Sequence, residues 1–180
     1  MTLQNADRLV LKTWMRSTTT TVHYLGVKGS KALAENVGPL VQLKFLAIDL
    51  ECNFINDAGC TALAEKLGDL VQLQTLKLNL RSNSVKNGGC TALAVHLSGL
   101  PRLESLVLLL ADNGISAEGC KAVANMISRL PHLTSLALEL TRMRDILHEE
   151  GCIAVAKTVS GLVEGGGGGC GLAVHDRLRR

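Results

Sequence analysis

Aromatic residues are nearly missing from this chain: one Trp, one Tyr and two Phe account for 2% of 180 residues. A core with so few rings cannot rest on aromatic anchors and must be assembled from many small aliphatic contacts. Charge of a single sign is missing too. Nineteen Lys and Arg stand against sixteen Asp and Glu, a net charge of +3, which is too even for the electrostatic footprint of a nucleic-acid binder. The charged fraction of 19%, spread in both signs, also argues against a disordered tail protein. No window approaches eighteen uncharged apolar residues, which excludes a membrane span of helical type. The segment from Met1 to Met15 is interrupted by Asp7, Arg8 and Lys12 and lacks the apolar centre of a secretory signal. No Asn-x-Ser/Thr acceptor occurs. These absences together fit an intracellular, cytoplasmic chain.

What is present is leucine and repetition. The chain is 47% hydrophobic, with 33 Leu and 17 Ala, enough for a globular core, and such a bias calls for a search for internal repeats. Gly59-Cys60-Thr61-Ala62-Leu63-Ala64 returns as Gly89-Cys90-Thr91-Ala92-Leu93-Ala94, as Gly119-Cys120-Lys121-Ala122-Val123-Ala124 and as Gly151-Cys152-Ile153-Ala154-Val155-Ala156. A weaker copy starts at Gly29. The leading glycines are 30, 30, 30 and 32 residues apart, so the chain is an array of about five units.

Each unit has two elements. Cys60, Leu63, Ala64 and Leu67 fall at i, i+3, i+4 and i+7 and predict one buried stripe on a helix of about nine residues. Asp57 or Ser116 is placed to cap the helix start, and Gly68, Gly99, Pro101 or Pro131 ends or follows it. The other element alternates, as in Leu46-Ala47-Ile48-Asp49-Leu50 and Leu76-Lys77-Leu78-Asn79-Leu80, which predicts a strand with one buried face.

Three residues after each of the first three strands stands Asn53, Asn83 or Asn113, followed two later by Ile55, Val85 or Ile115. This pattern resembles leucine-rich repeats of the ribonuclease-inhibitor type, whose units read Leu-x-x-Leu-x-Leu-x-x-Asn-x-Leu/Ile before a Gly-led helix. The resemblance covers residues 16–163. It implies an α/β solenoid: a right-handed superhelix with a parallel sheet on the concave side and helices outside. The units depart from the family in carrying an extra Leu-x step, read as a strand two residues longer and typical of protist-style repeats of about 30 residues. Physics gives the same shape, because parallel strands stack about 4.8 Å apart while packed helices need roughly 8 to 10 Å, so the stack must curve. The Asn column supplies a buried amide that satisfies backbone groups of adjacent coils.

The ends are irregular. Residues 1–15 read as an irregular segment that caps the array in part. Ser17 to Val22 is the strand candidate of the first unit, with His23 at its Asn position. In the last unit Asp145 replaces Asn and Leu147 replaces Ile. Beyond Leu162 no strand is expected: 164–180 reads as a Gly-rich flexible tail with a pentaglycine run and Arg177, Arg179 and Arg180. An array without a visible C-terminal cap implies a piece of a longer protein or self-association through the open end.

Reactive chemistry finds little support. Cys60, Cys90, Cys120 and Cys152 share one repeat position and would stand roughly 8 to 10 Å apart on stacked helices, too far for disulfides or one tetrahedral zinc site. They read as small buried residues, while Cys52 and Cys170 lie off the pattern. The five histidines occupy different repeat positions and predict no nucleophile–base pair. Gly26 to Lys31 lacks the spacing of a phosphate loop and reads as a degenerate repeat turn. No cofactor, no metal and no enzymatic activity are expected.

The concave face remains. Its rows across strands read Ala47, Lys77, Val107, Ala137, then Asp49, Asn79, Leu109, Glu139, then Glu51, Arg81, Ala111, Thr141. Glu51 and Arg81 are expected to pair across adjacent strands. Val107 and Leu109 are apolar where folding does not require it, which marks a contact centre, although no Trp or Tyr stands beside them as an anchor. The candidate partner-binding residues are therefore Asp49, Glu51, Lys77, Asn79, Arg81, Val107, Leu109 and Glu139. The expected function is a non-enzymatic scaffold that binds another protein there, with neither nucleic acid nor membrane as partner. The resemblance adds an alternative, a regulator of a small GTPase in the GTPase-activating style.

Overall fold

The computed structural model describes residues 7–12, 24–140, 153–157 and 173–174. Strands and helices alternate: β1 (Arg8–Lys12), α1 (Gly26–Val37), β2 (Phe45–Asp49), α2 (Asn56–Gly68), β3 (Thr75–Asn79), α3 (Asn87–Leu97), β4 (Ser105–Leu109), α4 (Ala117–Ser128), β5 (Ser135–Glu139) and β6 (Ala173–Val174). The six strands form one parallel sheet in sequence order. Residues 30 apart are register partners from β2 to β5, as in Leu46 with Leu76 and Leu76 with Leu106. Strands line one side and helices the other, as the alternation of period-2 and period-3.6 segments requires.

The core follows the Leu columns. Leu46, Leu76, Leu106 and Leu136 are fully buried, as are the stripe residues Cys60, Leu63, Ala64 and Leu67 on α2. Each large aliphatic side chain so buried contributes about 1.5 to 3 kcal/mol. The helices run 11 to 13 residues from α1 to α4, longer than the repeat stripe suggests. Strands are five residues, but pairing continues beyond them: Leu50 N–H donates to Asn79 O at 2.9 Å and Cys52 N–H to Arg81 O at 3.0 Å. The extra Leu-x step thus extends the ladder past the strand end.

Two expectations about the flanks are corrected. The first strand lies at Arg8–Lys12, inside the segment read as irregular; its Leu9 and Leu11 face the core opposite Leu46 and Ile48. The strand candidate Ser17 to Val22 falls outside the described residues. At the other end, β6 pairs Ala173 with Ala137 and Val174 with Leu138, within the stretch read as strandless tail, because a parallel sheet edge offers open N–H and C=O groups that any extended segment can satisfy. His23, Asp145 and Leu147 also lie outside the described residues.

Side-chain amides join the coils. Asn83 Oδ1 accepts from the N–H groups of Asn53 (2.9 Å) and Ile55 (3.3 Å), and its Nδ2 donates to Leu50 O and Arg81 O, both at 2.8 Å. Asn113 repeats this one coil later, accepting from Asn83 and Val85 N–H. Such a turn needs left-handed backbone, and Cys52, Ser82 and Asp112 have φ of 58, 53 and 56°, with Phe54 and Ser84 at 51 and 58°. L-residues there cost about 1 to 2 kcal/mol each, which the satisfied amides offset.

A second ladder runs along the helix starts. Asp57 was expected to cap its own helix; instead its Oδ1 accepts from Lys86 N–H (2.7 Å) and Gly89 N–H (2.9 Å), at the start of α3. Asn87 Oδ1 does the same for Ser116 and Gly119 at α4. Asp57 already lies in the first turn of α2, so its side chain points across to the next coil. Ser116 does cap its own helix, accepting from Glu118 N–H at 3.3 Å. The recurring glycine has a steric cause in the same place: a Cβ on Gly89 would come within 2.6 Å of Val85 Cγ1 and 3.0 Å of Asp57 Oδ1.

Asn83→Ala removes the acceptor of two N–H donors in the preceding coil, those of Asn53 and Ile55, and is expected to lower stability by about 2 to 4 kcal/mol, measured by urea unfolding. Asp57→Ala is expected to cost about 1 to 2 kcal/mol and Asp57→Asn much less, since the amide at Asn87 performs the same capping; equal losses for the two variants would contradict the assignment.

Candidate binding face

Odd strand positions point away from the core and stand in rows. Val10, Ala47, Lys77, Val107 and Ala137 are register partners along one row. Asp49, Asn79, Leu109 and Glu139 form the next. A shallow, open depression of about 220 Å³ runs over β1 to β4, with apolar walls from Val10, Ala47, Val107 and Leu109 and polar groups from Asp49, Lys77 and Asn79. Five of the eight residues singled out from sequence therefore meet in one place. Glu51, Arg81 and Glu139 lie around the strand exits. Ala111, read as part of the third row, is instead buried, with 4% of its surface exposed, and Thr141 lies outside the described residues.

The polar groups pair differently from the sequence expectation. Arg81 does not take Glu51 but reaches across β4 to Glu139, Nη2 to Oε2. The Glu51 carboxylate is taken by Asn79 instead, and the long Arg81 side chain reaches the next carboxylate, that of Glu139 on β5. Asn79 Nδ2 donates to Asp49 Oδ1 (2.9 Å) and Glu51 Oε2 (3.2 Å), so one amide serves the two carboxylates beside it. The Arg81–Glu139 side chains retain 32% and 20% exposure, which keeps the pair near the modest worth of a solvated contact, about 0 to 1 kcal/mol.

One residue of this face escaped the sequence reading. Phe45 starts β2 and pairs with Arg8 and Thr75. The Arg8 guanidinium carbon lies 4.4 Å and Lys77 Nζ 5.8 Å from the centroid of its ring. The face has an aromatic group after all, with two cations over its ring. Its signal was available: Phe45 immediately precedes the alternation at Leu46, and period two turns it outward. The Tyr and the other Phe pack edge to face on a turn, Tyr24 against Phe54 with centroids 4.3 Å apart.

Cys60, Cys90 and Cys120 are buried and free, and Cys52 is exposed. Burial pushes the Cys60 thiol far up, and the neighbouring Cys90 and Asp57 add to it. Cys90 is pushed up to about 12, first by burial and then by Cys120 and Asp57. The Cys60 thiol donates to Gly89 O at 3.7 Å, another contact between coils. Thiols held protonated are poor nucleophiles and metal ligands. Cys152 and Cys170 lie outside the described residues. Among the described residues no group of three or more His, Cys, Asp or Glu is placed to hold a metal ion, and no helix is long and apolar enough to cross a membrane. Gly26 to Lys31, read from sequence as a degenerate repeat turn, is instead the first half of helix α1, with Gly26 at φ +57° where the chain enters it.

Parallel strands in a 30-residue register, each followed by one helix and clasped by an amide ladder, define a βα solenoid. Comparison with known proteins gives its family. The family model described as Leucine Rich repeat matches residues 72–94 and 106–124, covering the β3 to α4 coils. Among solved structures, the chain is similar to Leiomodin-1 Actin-Binding Site 2 (ABS2), with TM-score 0.53 and 15% identity over 77% of this chain and 75% of that one. That likeness is one of fold. No curated protein matches the chain. The chain therefore carries leucine-rich repeats, matched over those two stretches, in a solenoid fold.

The thiol column predicts a pH dependence. The unfolded chain ionises these groups near the ordinary value of 9.0, whereas folding holds Cys90 protonated to about 12. The resulting stability is complete below pH 9 and declines as pH rises through the window up to 12. Iodoacetamide labelling with peptide mapping at pH 8 is expected to modify Cys52 in the native protein, and Cys60, Cys90 and Cys120 only after denaturant is added.

Proposed function

We propose that the chain is a cytoplasmic, non-enzymatic scaffold that seats another protein on the open face of its sheet. The observation that carries this is the depression over β1 to β4, where Val10, Ala47, Val107 and Leu109 present apolar side chains outside the core. The core is complete without them, since the Leu columns behind the sheet are fully buried. Solenoid sheets are extended binding surfaces in general, and apolar groups edged by charge suit a contact centre. The similar solved structure is an actin-binding site of leiomodin-1, which supports a protein-binding role for this fold. Helices of 11 to 13 residues in successive coils support the ribonuclease-inhibitor-like subtype as our reading.

The test is substitution on the face with the fold as control. Lys77→Glu with Leu109→Glu is expected to reduce capture of a co-purifying partner at least tenfold, by quantitative mass spectrometry, while the melting temperature shifts by no more than a few degrees. Undiminished capture by a folded double variant overturns the placement on this face.

A further inference from the structure

Charge on the sheet face falls into two groups. Arg8, at the start of β1, and Lys77, mid-strand on β3, lie over the Phe45 ring at the start side, whereas Asp49, Glu51 and Glu139 lie toward the exits together with Arg81, and Lys12 ends β1 as the register partner of Asp49. At the exits every carboxylate has a partner within the chain: Asn79 donates to Asp49 and Glu51, and Arg81 pairs with Glu139. At the starts the cations do not. Among the described residues the ion pairs are Lys44–Asp7, Lys66–Asp69 and Arg81–Glu139, and neither Arg8 nor Lys77 belongs to one. Both instead lie over the ring of Phe45, at 4.4 and 5.8 Å from its centroid, the position in which a ring attracts a cation.

From this arrangement we infer that the face takes an acidic peptide segment, one whose carboxylate is received between Arg8 and Lys77 while a neighbouring apolar side chain settles on Val107 and Leu109. The inference rests on the concave-face reading above and adds the partner's chemistry. Three features support it. A carboxylate here meets two cations that lie over one ring and belong to none of the ion pairs named above, and the ring restrains their side chains beforehand, so less rotamer entropy is lost on binding. The apolar seat is adjacent, since Val107 is the register partner of Lys77. A nucleic-acid backbone fits poorly, because a continuous run of phosphates across the depression would meet Asp49, Glu51 and Glu139 at its far side, whereas a peptide needs only one acidic side chain at the near side.

The test uses the full chain and three fluorescent probe peptides of equal length and equal leucine content, carrying glutamate, serine or lysine between the leucines, with binding read by fluorescence anisotropy. The glutamate peptide is expected to bind at least tenfold more tightly than the lysine peptide, and to weaken as salt rises from about 50 to 500 mM. Lys77→Glu and Arg8→Glu are each expected to lower its affinity about five- to tenfold and to narrow or reverse the preference over the lysine peptide. Leu109→Ser should weaken all three peptides. Equal affinities for the three peptides, sensitive to Leu109→Ser, would overturn the acidic partner and leave the face standing. Binding insensitive to Leu109→Ser as well as to the charge reversals would remove the face itself. No detectable binding of the glutamate peptide, or its displacement by a single-stranded oligonucleotide at lower concentration than by unlabelled peptide, overturns the inference outright.

Discussion

The amide of one asparagine per coil is the contact on which the rest of this structure depends. A parallel strand that leaves the sheet and turns into a helix exposes backbone donors where neither sheet nor helix can use them. Asn83 and Asn113 accept those donors from the coil before and return their own to its carbonyls. Because each amide reaches back to the same positions of its neighbour, successive coils stand in the same register. Register in turn turns every second strand residue toward the core or away from it. The aliphatic columns, the left-handed turns and the ordered rows of the outer face are all consequences of coils aligned this way.

The division of labour within a strand follows. Inward positions repeat because each coil fills the same wedge of core, so Leu46, Leu76, Leu106 and Leu136 are interchangeable in kind. Outward positions answer to no such requirement. Ala47, Lys77, Val107 and Ala137 share one row and have little in common, which is what allows a monotonous sequence to carry a particular surface. The shortage of aromatic residues belongs to the core; one of the few rings present, Phe45, is placed on the face, where it organises charge.

Much of this was legible in the sequence because two periodicities and one spacing carry it. Period two at Leu76-x-Leu78, helical spacing at Cys60, Leu63, Ala64 and Leu67, and Asn three residues past the strand gave the family resemblance, the core columns and the strand rows. What escaped depended on side-chain reach or on weak pattern. Asp57 looked like the cap of its own helix because sequence orders residues along one coil, whereas the capped N–H groups belong to the next. Glu51 and Arg81 are adjacent by row, but the partner of a long side chain depends on its reach and on competing donors, here Asn79 on Glu51. β1 lies in a segment that reads as irregular, because the five residues that pair have only Leu9 and Leu11 to mark the alternation. β6 contributes two residues to the sheet, too few for any periodicity to register.

The two ladders between coils point in opposite directions. Asparagines of a later coil hold the turn of an earlier one, whereas Asp57 and Asn87 of an earlier coil hold the helix start of a later one. Both advance by the same step of 30 residues that separates Gly59, Gly89 and Gly119. Cutting out one unit between equivalent positions would therefore bring each remaining clasp against an equivalent partner. The fold is in this sense modular in length: coils can be gained or lost by duplication and excision without designing a new junction, and what changes is the width of the outer face and the order of side chains along it.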